Sequence, residues 1–141
     1  MAGCSTKSLV QTSIAGMPGV TRFDLECHPR LDHDALAVTR RWADDRALGA
    51  RGRERLVCLT LAAVQHGLRF GPTRLTILLR WLDVDLVRLD VTWNESATPA
   101  LAGTDPHDVG EAAPIFDGLA REWDVSTTGT GWGQWMILSI D

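Results

Sequence analysis

The sequence has no tyrosine, one lysine (Lys7), three cysteines and no run of apolar residues long enough to cross a bilayer. Each shortage removes a class of protein. Cys4, Cys27 and Cys58 are odd in number and scattered, which argues against a disulfide framework and for a reducing cytoplasm. Without a membrane-length segment, no transmembrane helix is expected. Met-Ala-Gly-Cys at the start has no apolar stretch before it, so a lipoprotein reading is set aside. The formal charge is −4 and the pI about 5.5, so no broad footprint for nucleic acid is expected. The near-absence of lysine beside many arginines reads as coding bias and not as function.

What is present is ordinary for a packed fold. The 141 residues are 45% hydrophobic and 23% charged, enough for a single core without staples. Residues 1–20 are rich in Ser, Thr and Gly, lack periodicity and read as a flexible arm; residues 21–141 read as one domain. No internal repeat is visible.

Periodicity sets the elements. "TRFDLECHP" alternates Phe23, Leu25 and Cys27 against polar neighbours, the mark of a half-buried strand. "LDHDALAVTRRWADDRAL" repeats Leu31, Ala35, Val38, Trp42 and Ala43 at helical spacing, with Asp32 or Asp34 as N-cap and Gly49 as the stop. "RGRERLVCLTLAAVQHGL" is a second helix, apolar nearly all round in its later turns and so expected to be buried on most sides. "TRLTILLRW" and "DLVRLDVTW" form a hairpin through Leu82-Asp83-Val84; Val87, Leu89, Val91 and Trp93 share one face of the second strand. Residues 94–113 form a long Gly/Pro/Asp-rich connection of the kind that serves as a lid or stays mobile. "PIFDGLAREW" is a third helix, with Ile115, Phe116, Leu119, Ala120 and Trp123 on its apolar side, and "DVSTT" and "QWMILSI" close the chain as a hairpin. Segregated helices on a mostly antiparallel, mixed sheet give an α+β fold: a two-layer sandwich with three helices on one face.

Four stretches in that order carry a resemblance. "LAVTRRWADD", "LVCLTLAAVQHG", "LVRLDVTWNESATP" and "GEAAPIFDGLAREWDV" resemble the first helix, the N-box helix, the G1 strand and the G2 box of the GHKL (Bergerat-fold) ATPases. The closest likeness is to the bacterial anti-sigma-factor and serine-kinase branch, and it runs from about Phe23 to Ile140. Register is best kept at Ile115, Asp117, Leu119, Ala120, Trp123 and Val125. The resemblance implies a Bergerat-like fold, ATP and magnesium as ligands, and relatives that sequester a sigma factor until a partner-switching antagonist releases them.

At the positions the family uses for chemistry, this chain differs. The N-box glutamate, the family's general base, corresponds to Cys58, and the magnesium-binding asparagine to Ala62, which has no oxygen ligand to offer. Cys58, expected among apolar groups, would stay a neutral thiol. The aspartate that accepts the adenine amine corresponds to Trp93, which cannot accept and whose ring would fill the adenine space. The next conserved glycine is Glu95, and of the phosphate glycines only Gly110 remains, followed by Glu111-Ala112-Ala113. The expected site is therefore a degenerate pocket of Cys58, Ala62, His66, Trp93 and Gly110, with no catalytic residue, metal or cofactor. The expected function is a non-catalytic, cytoplasmic protein-binding module, its partner a sigma factor, an antagonist or a second copy in a homodimer. The alternatives are an ATP-binding, magnesium-dependent serine kinase with an atypical site, and a sensor that reuses the pocket for a small apolar ligand.

Several residues have plainer readings. His66 suits a helix C-terminus without any ligand role. Asn94 replaces the missing aspartate only if the register slips by one, which would turn it from the core face. Cys27, His28, Asp32 and His33 fit no standard zinc spacing and read as solvated strand-end residues. Trp132 and Trp135 flank a Gly-rich turn, where Trp132 is either an exposed contact anchor or packed over its own hairpin.

Overall fold

The computed structural model describes residues 10–13, 19–94, 110–128 and 131–140. Its elements are β1 (Val10–Ser13), β2 (Val20–Glu26), α1 (Leu31–Asp45), α2 (Ala50–Leu68), β3 (Arg74–Asp83), β4 (Leu86–Asn94), a single 3-10 turn (Gly110–Ala112), α3 (Ala113–Leu119), β5 (Glu122–Thr128) and β6 (Gly131–Ser139). The strands form one six-stranded sheet in the order β1-β2-β3-β4-β6-β5. Every neighbouring pair is antiparallel, so the described sheet has none of the mixed character expected of it. The fold is α+β in two layers, as the pattern of elements called for.

The alternation in the strands decides which face is covered. Phe23 and Leu25, Leu75, Ile77 and Leu79, Val87, Leu89, Val91 and Trp93, and Met136 and Leu138 are all buried. Register puts them side by side: Phe23 opposite Ile77, Ile77 opposite Val91, Leu89 opposite Met136. Because side chains alternate across a strand, this sets one apolar face under the helices. The other face carries the Arg22–Asp24 and Arg88–Asp90 ion pairs, each 3.0 Å, and Thr76, whose hydroxyl donates to Asp24 at 2.7 Å. Arg88 also lies over the Trp135 ring at 5.1 Å.

Helix α1 buries Leu31, Ala35, Val38, Thr39, Trp42 and Ala43. The Trp42 indole N–H donates to Thr21 Oγ1 at 3.2 Å, so the largest side chain of the core is also satisfied. The N-cap is Arg30, with no side-chain cap bond, and not an aspartate. Asp34 instead binds His28 at 2.8 Å, and Asp32 accepts from the His33 N–H. The helix stops at Asp45, four residues before the expected glycine: Ala47 takes a φ of 55° and the Leu48 N–H donates to the Ala43 carbonyl. Gly49 is then the N-cap of α2.

Three further boundaries move. Within the stretch read as an arm, Val10–Ser13 pairs with β2 as an edge strand. The β3–β4 turn is Val84-Asp85, one residue later than expected, with the Val84 N–H held by Asp83 Oδ1. Helix α3 ends at Leu119, and Trp123 belongs to β5, where it stacks on Phe116 at 5.0 Å between ring centroids. The expected connection is strand at Asn94 and 3-10 turn from Gly110; its middle, including Glu95, lies outside the described residues.

Candidate functional site

The seam between α2 and α3 holds the site. Helix α2 packs on β4 and β6, and α3 packs on β5 and on α2. Strand β6 lies between β4 and β5, so it forms the floor beneath the seam. A cavity of about 580 Å³ opens there, lined by Ala62, Gln65, His66, Arg69, Gly110, Ala112 and Ile115. Ala62, Gln65 and His66 share one stripe of α2, and Arg69, its C-cap, continues it, as spacings of three and four along a helix require.

Of the five residues expected to form a pocket, three line this cavity together: Ala62, His66 and Gly110. Cys58 does not. It is exposed, where burial was expected. The buried stripe of α2 includes Leu56, Thr60, Ala63 and Gly67, and two residues on from Leu56 is about 200° round the helix. Trp93 is not at the cavity wall either. It is buried behind it, in contact with Trp132, at 4.5 Å between ring centroids.

Trp132 in turn meets His66 edge-on at 5.6 Å and Phe70 at 4.8 Å, so the four rings form one cluster. His66 is 3% exposed and also meets Phe70 edge-on. Trp132 is therefore packed inside the fold and is not a surface anchor. Both tryptophans sit directly opposite one another in the β4–β6 register, and their strand alternation aims them at α2. The contact is possible because of Gly67. A Cβ built there would lie 1.7 Å from Cε2 and 1.8 Å from Cζ2 of Trp93. The indole thus lies against bare helix backbone.

Polar groups around the seam are unevenly satisfied. Gln134, on the helix-facing side of β6 with Val91 and Val125 as its register partners, is 2% exposed, and neither its amide oxygen nor its nitrogen has a partner. The Trp93 Nε1 is likewise buried without an acceptor. Arg69 stands at the cavity rim with no ion pair among the described residues. No group of three or more His, Cys, Asp or Glu that could hold a metal occurs among the described residues. His28 pairs with Asp34 instead of joining Cys27, Asp32 and His33.

Asn94, the one-residue-slip candidate, points to neither helix nor cavity. Its Oδ1 accepts from the Thr73 and Arg74 backbone N–H groups at 3.1 and 2.8 Å, and its amide donates to Thr73 Oγ1. It is a clamp on the entry to β3.

The sequence reading did not single out Gln65, Arg69 or Gln134, and named Ala112 only as a replacement for a phosphate-loop residue. Spacing could have found Gln65 and Arg69, which stand three and seven residues beyond Ala62. Ile115 was placed on an apolar, core-facing side but is 41% exposed at the cavity edge. Among the described residues, no helix is long and apolar enough to cross a membrane. The chain matches no protein-family model and no curated protein.

Proposed function

We propose that this chain is a non-catalytic protein-binding module on a Bergerat-like scaffold, resembling the bacterial anti-sigma factors, in which side chains have taken over the space of the nucleotide. The observation that carries this reading is the Trp93–Trp132 pair, packed against Gly67 at the place the resemblance assigns to adenine. A ring in van der Waals contact with helix backbone leaves no slot for a second one. Ala62 brings no oxygen ligand to the cavity, so magnesium gains nothing from it. Cys58, in the general-base position, is an exposed thiol.

Large apolar side chains in water support the binding half of the reading. Trp81, Leu82 and Val84 are 36%, 42% and 87% exposed at the β3–β4 tip, Ile115 is exposed at the seam, and Leu68 is exposed at the end of α2. Clustered exposed apolar groups of this kind are where partners dock. By resemblance the partner is a sigma factor or its antagonist in the cytoplasm, or a second copy of the chain.

Two measurements test the proposal. Melting temperature is read with and without millimolar magnesium-ATP or ADP, and is expected not to move. A rise would mean occupancy of the native state, since a ligand at one hundred times its Kd adds about 2.7 kcal/mol, and would restore the kinase reading. Binding to the source organism's sigma factors and antagonists, and self-association, are then followed by calorimetry and sedimentation with wild type and Val84→Asp. Saturable binding or dimerisation weakened by the substitution is expected; neither partner nor dimer with any of them would overturn the module reading.

A further inference from the structure

The sheet face turned away from the helices carries charges in an uneven arrangement. Two of its arginines are paired on their own strands, Arg22 with Asp24 and Arg88 with Asp90. Arg80 is not. It has no ion pair among the described residues, and its Nε is buried without a partner. Its register partner on β4 is Arg88, and like charges directly opposite one another repel.

The balancing charge sits at the far side of the same face. Register carries one row from Arg80 through Arg88 and Ile137 to Glu122, and the next from Leu78 through Asp90 and Trp135 to Asp124. Glu122 and Asp124 are exposed and have no ion pair among the described residues either. Three strand spacings, roughly 14 Å, separate the unpaired cation from the unpaired acids, too far to close within one copy. Leu78, Trp135 and Ile137, half-buried, lie in and between the two rows.

A second copy closes the gap. A two-fold axis running along the strands above the β4–β6 boundary lays β3 of each copy over β5 of the other. Arg80 then faces the other copy's Glu122, twice over, with Asp124 beside it. Arg88 and Asp90 lie over Ile137 and Trp135, and no like charges stand directly over one another. Centring the axis on β4 would set Arg88 on Arg88, and centring it on β6 would set Asp90 on Asp124. Stacked sheets lie about 10 Å apart, which facing arginine and glutamate side chains span.

We propose that this open face is the contact between two copies of the chain, a two-fold sheet-on-sheet dimer closed by Arg80 and Glu122. The inference rests on the second-copy arm of the protein-binding reading; a different partner at the β3–β4 tip can hold without it.

Sedimentation equilibrium of the full chain up to about 1 mM tests it. A reversible dimer that weakens with added salt is expected. Arg80→Glu and Glu122→Arg should each weaken it about tenfold or more, because each sets like charges together at two contacts per dimer. An equimolar mixture of the two variants should recover the wild-type affinity, since every contact between them again joins opposite charges. A merely structural role of either residue would give no such recovery. Thermal melts check that the variants fold; Glu122 is exposed, so its reversal carries the test alone if Arg80→Glu unfolds. A monomer at every concentration, a dimer that Glu122→Arg leaves unchanged, or no recovery on mixing two folded variants would overturn the proposal. A dimer lost in Val84→Asp and kept in Arg80→Glu would overturn it too, placing the second copy at the tip and leaving the module reading intact.

Discussion

Replacing Gly67 by alanine puts a number on the tryptophan plug. The added Cβ would sit 1.7 to 2.1 Å from three atoms of the Trp93 indole, where ordinary contact is 3.4–4 Å. The ring must shift by well over an ångström, and Trp132 stands behind it. Overpacking of this kind costs about 1–3 kcal/mol. Alanine in place of glycine in a helix returns up to about 1 kcal/mol, and less here, because Gly67 is next to last in α2. The expected net loss is about 1–2 kcal/mol, a fall in Tm of roughly 2–4 °C per kcal/mol for a domain near this size. If the ring is expelled altogether, the loss approaches the roughly 3–5 kcal/mol of deleting a buried tryptophan. Trp93→Leu removes the obstruction, so in that background Gly67→Ala should be neutral or mildly stabilising. Urea unfolding of the two single variants and the double variant gives the coupling directly. An equal cost of Gly67→Ala in both backgrounds, or no cost in wild type, would refute the reasoning and remove the main support for the proposed function.

Gln134→Leu should raise stability by about 1–3 kcal/mol in the unliganded protein, since it removes two buried polar atoms that have no partner; chemical denaturation reads it, and a loss would mean the amide is satisfied in solution. Burial pushes the Cys27 thiol above its ordinary 9.0 to about 11. The folded state therefore holds that proton more tightly than the unfolded one; its contribution is intact below about pH 9 and is lost as pH rises from there through about 11. In a Cys4→Ser background at pH 8, iodoacetamide should accordingly modify exposed Cys58 well before Cys27, as peptide mass spectrometry would show. Asn94→Ala releases two backbone donors at the start of β3 and should cost about 1–2 kcal/mol in thermal melts, with hydrogen exchange speeding up at Thr73 and Arg74.

Much of the fold was legible because strands announce themselves. The run Val87, Leu89, Val91, Trp93 fixed a face, and that face is the buried one. Helix α2 was harder. With apolar residues nearly all round, its period could not say which stripe met the sheet, so Cys58 was assigned to the interior and lies outside. Trp123 repeated the helical spacing of Phe116 by coincidence, since the chain turns into β5 at Glu122 while the ring still reaches Phe116. The aspartates in the first turn of α1 looked like caps because their type suits one; His28, six residues from Asp34, competed and won. Pairing of Val10–Ser13 depends on a partner strand further along the chain, which local composition does not report. Trp93 lies on the buried face that its strand alternation indicated, but the partner it packs on, Trp132, became visible only through the β4–β6 register.

That register has a consequence during synthesis. Strand β6 is the last of the described strands in sequence yet fifth in the six-strand sheet, between β4 and β5. When β4 leaves the ribosome, the row of hydrogen-bonding groups that β6 will cover is still bare, and Trp93 has no Trp132 to rest on. At about 5–20 residues per second, several seconds pass before the missing strand arrives. For that interval the nascent domain is an unfinished sheet with a long apolar edge, open to pairing with its neighbours on the polysome.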